Sequence, residues 1–401
     1  MFLGIQGNTY EPTSSPVDVC ADDTNFYTVN TTTLLRAYNQ NTLSNTLTVN
    51  ATSSSAATGI ALISSASAIV TCTTANLLFV NLTGGNVSSV TTNAAATQLT
   101  TAMQQVAANP VTKFGIATKS TTGSVTLING NTFALSSLSV TGLTSQNATC
   151  VIAKTDSSNF FIGTTDSKVY EIDTSGTVIK SLTLPVLPKM GGALSSLQVG
   201  SLSYYNGLLL TLDTGGVLRL YDWTGGPTLL DTSICNTWNL NQHTMLSNSA
   251  SGTCYLTAPR ATGLSNQMIT EVYFAKGEIV MQANWAGLPA SSVIRGCCLS
   301  PNTGKLAVLS TNSNSQFAMK VLNVTSPGTT NVMTRIQEPA TLDVPGRIIR
   351  FRDAGIGRSC VDLDVTISAG ATSIPCGADM NYVELSMLTS PNKWDIREFK
   401  S

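Results

Sequence analysis

A single histidine, His243, is the only imidazole in the 401-residue chain, so a Ser-His-Asp or Cys-His mechanism would have to run through it. Its surroundings, ICNTWNLNQHTMLSNSASG, hold no G-x-S-x-G turn or other nucleophile motif, and the residue reads as an exposed loop histidine. The nine cysteines include no Cys-x-x-Cys pair, and the adjacent Cys297 and Cys298 read as small thiols packed on a strand, so zinc is not expected. Asp22 and Asp23 fall at a turn; Asp362 and Asp364 share one face of a strand, where a calcium ion would still need further clustered oxygens. The glycines of GTTDSK (163 to 168) and TGG (224 to 226) sit in hairpin turns, without the spacing of a Walker loop or a dinucleotide fingerprint. What remains is aromatic: Trp223, Trp238, Trp285 and Tyr205 lie near loops and, with His243, form a candidate surface for stacking on a sugar or docking a protein. Trp223 and Trp285 each follow a turn Asp or Asn at the same place in two segments, a position that suits packing at least as well. No catalytic residue, cofactor or metal ligand is expected, and the chain reads as a non-enzyme.

The elements that would position these residues are strands. About a quarter of the chain is Ser or Thr, and only 11% is charged. Thr with Val and Ile favours strands, and Gly with Asn supplies turns, so the class is all-β. Seven segments share a pattern of apolar, two variable residues, apolar, Asp or Asn, then a short polar turn. They are LRAYNQNT from Leu35, LLFVNLTG from Leu77, VTLINGNT from Val125, VYEIDTSG from Val169, LRLYDWTG from Leu218, VMQANWAG from Val280 and MKVLNVTS from Met319. Their starts differ by 42, 48, 44, 49, 62 and 39 residues, the period of a four-stranded propeller blade. The apolar residues anchor a buried strand, and the Asp or Asn opens the next turn by bonding its own backbone. Another strand precedes each motif, as in FFIG (160 to 163), LLLTL (208 to 212) and EVYFA (271 to 275), and outer strands follow, as in TLTV (46 to 49), VSSV (87 to 90) and VIKSLTL (178 to 184).

On these residues the chain resembles the β-propeller superfamily, with a blade grammar like that of WD-type repeats, although the Gly-His element and the terminal Trp-Asp are absent. The resemblance implies a seven-bladed β-propeller. The expected organisation is an N-terminal arm over 1 to 15, the propeller over 16 to 338, and a C-terminal β-module or docking extension over 339 to 401. Two segments break the rhythm. AAATQLTTAMQQVAANP (94 to 110), rich in Ala, Gln and Met and closed by Pro, is expected as a short helix between blades 2 and 3. The interval from Pro227 to Gly277 is expected to hold an inserted loop. From Arg347 onward 14 of 55 residues are charged, and RIIRF, CVDLDVTI, YVELSML and WDIREF read as strands of the C-terminal module. Its closing WDIREFKS resembles the ends of tailed-phage virion proteins.

With 21 basic and 22 acidic residues spread thinly, no footprint for nucleic acid or an anionic membrane is visible, and no apolar run is long enough to span a bilayer. The start, MFLGIQGNTYEP, lacks the charged and apolar regions of a secretory signal. Most thiols are expected to be free and buried, with Cys360 and Cys376 the candidate disulfide. Six Asn-x-Ser/Thr sequons are no more than this composition gives by chance. The expected function is a structural or host-attachment component of a virion, binding other virion proteins and a host surface glycan. The alternatives are an extracellular or cell-surface carbohydrate-binding propeller and a propeller glycoside hydrolase or lyase.

Overall fold

A computed structural model describes residues 4–5, 15–31, 34–50, 56–73, 77–83, 103–119, 125–143, 148–185, 198–234, 245–257, 268–285, 293–300, 302–311 and 317–324 of a first compact unit. Of a second unit it describes 335–336, 348–352, 362–366, 373–374, 382–387 and 394–399. The first unit spans Gly4–Val324, and the second holds Thr325–Ser401 with Met1–Leu3. Among the described residues no helix is long and apolar enough to cross a membrane.

The first unit is a seven-bladed β-propeller. It opens with β1 (Gly4–Ile5), which belongs to the last blade. Blade 1 is β2 (Pro16–Ala21), β3 (Asn25–Asn30), β4 (Leu34–Asn39) and β5 (Asn45–Asn50). Blade 2 shows β6 (Ala57–Ser64), β7 (Ser67–Cys72) and β8 (Leu77–Asn81). Blade 3 is β9 (Met103–Asn109), β10 (Phe114–Lys119), β11 (Val125–Asn129) and β12 (Ala134–Leu138). Blade 4 is β13 (Ala148–Ala153), β14 (Phe160–Thr164), β15 (Lys168–Ile172) and β16 (Val178–Thr183). Blade 5 is β17 (Val199–Tyr205), β18 (Leu208–Asp213), β19 (Val217–Asp222) and β20 (Thr228–Ile234). Blade 6 is β21 (Met245–Leu246), β22 (Thr253–Thr257), β23 (Met268–Tyr273) and β24 (Val280–Trp285). Blade 7 is β25 (Val293–Leu299), β26 (Lys305–Thr311) and β27 (Phe317–Asn323), with β1 as its outer strand. Gly4 pairs with Asn323 and Ile5 with Leu322, so the start of the chain closes the ring.

Each blade is a meander whose core lies against the next blade. Val29, Leu35 and Ala37 of blade 1, for example, share one buried cluster with Ile60, Val70, Leu78 and Val80 of blade 2. The Asp or Asn at the end of the third strand acts as the sequence implies. Asp173 Oδ1 accepts from the backbone of Ser175 at 2.8 Å and of Thr177 at 2.9 Å, and Asp222 Oδ1 accepts from Thr224 N at 2.8 Å. Asn39, Asn81 and Asn129 do the same with the residues two or three ahead. Outer strands are braced against the following blade. Lys180 of β16 donates to the carbonyls of Trp223 at 2.6 Å and Thr224 at 3.1 Å, and Asp231 of β20 accepts from Ile279 N at 2.7 Å.

Two expectations need correction. Met103–Asn109 is the inner strand of blade 3, not part of a helix; residues 94–102 lie outside the described residues. Helix propensity is a weak prior, and here pairing overrides it: β9 lies along β10, while Asn109 Nδ2 bonds the carbonyls of Lys154 and Ser157 in blade 4 at 3.2 and 2.8 Å. The small Ala107 and Ala108 also suit this crowded position, since a Cβ on Gly115 would already lie 3.2 Å from Ala108 Cβ.

The interval 227–277 also carries β20, β21, β22 and all of β23, and residues 235–244 of the expected loop lie outside the described residues. VMQANW is the fourth strand of blade 6, not the third, and EVYFA belongs to the third, not the second. The true third strand, MITEVY, ends without a turn Asp or Asn, and Phe274 follows it as Trp223 follows β19. Phe274 N bonds Gly252 O at 2.8 Å, and Trp223 N bonds Gly207 O at 2.7 Å. With that register, third strands begin at 34, 77, 125, 168, 217, 268 and 317, spaced 43, 48, 43, 49, 51 and 49. The irregular 62 and 39 of the sequence pattern disappear.

Of the second unit, Arg335–Ile336, Ser373–Ile374, Tyr382–Met387 and Trp394–Phe399 form one four-stranded sheet, and Ile348–Arg352 pairs with Asp362–Thr366.

Candidate functional site

In a chain so poor in charge, each buried ionic group marks a place where the fold has a use for it. One is Glu171 on β15, whose side chain is 1% exposed. Its Oε1 accepts from Lys154 Nζ at 3.0 Å and Asn159 Nδ2 at 2.7 Å, and its Oε2 accepts from Trp223 Nε1 of blade 5 at 2.6 Å. Lys154 and Asn159 bracket the turn between β13 and β14, which their backbones close at 2.9 Å. Beside them Tyr204 of β17 donates to Asp156 Oδ2 at 2.6 Å and accepts from Gly207 N at 2.9 Å. Phe161 fills the space between, 5.2 Å from the Tyr204 ring and edge-on to Trp223 at 5.4 Å.

Burial alone would raise the Glu171 carboxyl, but the bonds from Asn159, Lys154 and Trp223 outweigh it and hold the group below its ordinary value. Burial, with the bond to Asp156, pushes Tyr204 above the usual phenol range. A carboxylate that accepts three donors and stays ionised has no proton to give at neutral pH. The arrangement joins blade 4 to blade 5.

A second buried pair does the same inside blade 5. Arg219 Nη1 meets Asp213 Oδ2 at 2.5 Å, Asp213 Oδ1 accepts from Gly215 N at 2.8 Å and Val217 N at 3.0 Å, and Arg219 Nη2 donates to Pro185 O at 3.1 Å.

Polar side chains on and beside the inner strands tie blade to blade around the ring. Asp18 of β2 accepts from Ile60 N in blade 2 at 3.0 Å, Thr149 donates to Val199 O at 2.5 Å, and Ser201 accepts from Leu246 N at 3.0 Å. Asn248 takes both backbone groups of Leu299, at 2.7 and 2.8 Å, and Ser300 donates to Asp22 O at 3.0 Å. Asp18 fits because its neighbours are glycines: a Cβ would stand 3.4 Å from Oδ2 on Gly59 and 3.3 Å from Oδ1 on Gly296. Burial raises the Asp18 carboxyl to about 6, partly offset by the amides of Ile60 and Val19. Burial likewise raises Glu271, on β23, to about 7.

The aromatic residues singled out in the sequence do not assemble. Trp223 is buried and hydrogen-bonded to Glu171, which is the packing role of its two readings. Tyr205 ends β17, half-buried beside the cluster that joins blades 5 and 6. Trp285 ends β24. Trp238, His243, Cys360 and Cys376 lie outside the described residues. Cys20, Cys150, Cys297 and Cys298 are on inner strands, Cys72 and Cys254 on second strands, and none of the six is in a disulfide. Burial raises the Cys150 and Cys298 thiols to about 12, so they pack as neutral groups. Among the described residues no cluster of three or more His, Cys, Asp or Glu could hold a metal ion.

Pattern reading missed Glu171, Asp18 and the Asp213–Arg219 pair. The signal available was a lone charge inside an otherwise apolar strand, as in VYEI and VLRLY.

No family model and no curated protein matches the chain. Solved structures do. The β-propeller domain of Cps50 (Swd1) from Myceliophteria thermophila superposes with a TM-score of 0.59 at 10% identity, covering 79% of this chain and 99% of that one. A chain of the mitotic checkpoint complex gives a TM-score of 0.59 at 10% identity, covering 80% of this chain and 92% of that one. At such identity the likeness is one of fold.

Proposed function

We propose that the chain is a rigid binding and assembly platform, acting as a structural or host-attachment component of a tailed-phage virion. The observation that supports a platform most directly is the use of buried charge. Glu171, Asp213 and Arg219 are consumed in bonds that fix strands, turns and blades relative to one another. Such a ring presents loops at fixed positions, which is what a docking surface requires. The virion setting draws support from the sequence: a surface solvated by hydroxyls and amides, a more highly charged C-terminal unit, and an ending that resembles tailed-phage virion proteins. Its partners on this reading are other virion proteins, with a host surface glycan as the attachment ligand.

The test is fractionation. Particles purified by density gradient are digested and their peptides identified by mass spectrometry. The reading expects peptides of this chain at constant stoichiometry across the particle peak. Recovery only as free soluble protein would overturn the virion setting. Turnover of a polysaccharide, abolished by changing one acidic residue of the ring, would replace the platform with a hydrolase or lyase.

A further inference from the structure

Five large apolar side chains stand exposed among the described residues, and all belong to three consecutive blades. They are Val111 (84%) and Phe133 (40%) in blade 3, Ile179 (47%) in blade 4, and Leu229 (46%) and Leu230 (43%) in blade 5. Four occupy equivalent corners, where the turn after the third strand enters the fourth. Phe133 immediately precedes β12, Ile179 is the second residue of β16, and Leu229 and Leu230 are the second and third of β20. Val111 lies in the neighbouring turn of blade 3, which is tied to the corner by the bond from Gly130 N to Lys113 O at 2.7 Å. The exposed residues of the same corner in blade 1 are polar, Thr42 bonding Ser44 and Asn45 bonding Thr48, while Leu43 there is half-buried.

Phe133 adds a second observation. It holds φ 55°, a left-handed conformation uncommon for a bulky residue, and keeps its ring partly in solvent while touching Phe79 edge-on at 4.9 Å. Leu43, likewise four residues after its turn Asn in blade 1, holds the same φ 55° but is half-buried, so the turn belongs to the repeat and what sets Phe133 apart is the exposure of its ring.

Most charges along these corners are tied to nearby backbone, and Lys113, in the turn of Val111, stands exposed. Asp173 and Asp222 are turned into their own turn amides, Lys180 is spent on the carbonyls of Trp223 and Thr224, and Asp231 on the amides of Thr232 and Ile279. The arc therefore offers little net charge to a partner, and its complement is a surface equally neutral and apolar. At roughly 150 Å² per large side chain, the exposed fractions amount to about 400 Å². That is close to the apolar share of the ~800 Å² each subunit buries in a standard interface. The geometry points to a self-association site: the corners of blades 3 to 5 dock against the same corners of a second copy of this chain, about a two-fold axis. A neutral apolar arc is its own complement, as an isologous contact requires. The inference does not depend on membership of a virion.

The experiment is sedimentation velocity of the full chain from about 1 to 100 μM, alongside the double variant Ile179→Glu with Leu229→Glu. Wild type is expected to move to a dimer with rising concentration. The variant should stay monomeric, its dissociation constant raised at least tenfold, with a melting temperature within about 2 °C of wild type. A second variant, Val111→Asp, checks the blade 3 end of the arc and should weaken the dimer at least threefold. Ser44→Asp at the polar corner of blade 1 should change nothing. A wild type that remains monomeric at 100 μM overturns the proposal, as does a dimer that survives the double variant. Monomeric wild type whose binding to a separate virion protein is lost in the variant would assign the arc to a different occupant and equally overturn the self-association reading.

Discussion

Glu171→Gln probes the joint between blades 4 and 5. The substitution keeps shape but removes the charge that faces Lys154 and places an amide NH2 among three donors, so one of Lys154, Asn159 or Trp223 loses its acceptor. Breaking a buried charged pair by removing one partner costs about 3–5 kcal/mol, because the remaining group is left buried and unpaired. Trp223→Phe approaches the joint from the other side: it deletes the 2.6 Å bond to Oε2 at a cost of about 1.5–3 kcal/mol, plus the lost indole volume. The two groups touch, so the double variant should cost less than the sum of the singles by about 1 kcal/mol or more. The assay is urea unfolding followed by far-ultraviolet circular dichroism. Acid supplies an independent check. The folded-state carboxyl is held below its ordinary 4.5, so its contribution is fully present above that value and fades as pH falls through the lower folded value. The gap between wild type and Glu171→Gln should therefore shrink in acid. A single variant within 1 kcal/mol of wild type at pH 7, or strict additivity in the cycle, would show that this network is ornamental to the ring.

Four further outcomes follow from the same structure. Gly163→Ala would place a Cβ 2.5 Å from Cys150 Sγ and 2.6 Å from Val199 Cγ1, between blades 4 and 5, and should lose about 1–3 kcal/mol in thermal unfolding. Gly225→Ala, whose Cβ would meet nothing within 4 Å, should be close to neutral. Asp18, raised to about 6, favours the fold in its protonated form: its benefit is present below the ordinary 3.8 and is lost as pH rises through 6. Wild type should therefore gain stability relative to Asp18→Asn between pH 7 and pH 5, and a difference independent of pH would refute that. Removing residues 1 to 5 strips β1 from β27 and should lower stability by about 1–3 kcal/mol, read as a lower urea midpoint.

The ring was legible in the sequence because its turns are local. An Asp or Asn bonding the amides two or three residues ahead leaves a trace in consecutive letters, and six of the seven motif segments are third strands. Blade 6 escaped because Tyr273 and Phe274 stand where other blades carry Asp or Asn, and the next segment with the right letters is its outer strand. The β9 strand escaped because Ala and Gln prefer helix when nothing else decides, whereas here blades 2 and 4 decide. The bonds that join blades link residues far apart in the chain, 52 in the case of Glu171 and Trp223, so they leave no local pattern. Trp223 illustrates the limit: its position suited a surface or packing alike, and the partner that decides between them lies in another blade.

The pairing of Gly4 and Ile5 with Asn323 and Leu322 also sets an order of events during synthesis. The strand that completes the last blade is translated ahead of the other strands of the ring, and its mate emerges more than 300 residues later. At ~5–20 residues per second, that is a wait on the order of 15–60 s. Throughout that time six blades can stack while the circle remains open. The nascent chain therefore carries two unsatisfied edges, one at its head and one at its growing end. Whatever shields them in the cell governs the yield of closed rings.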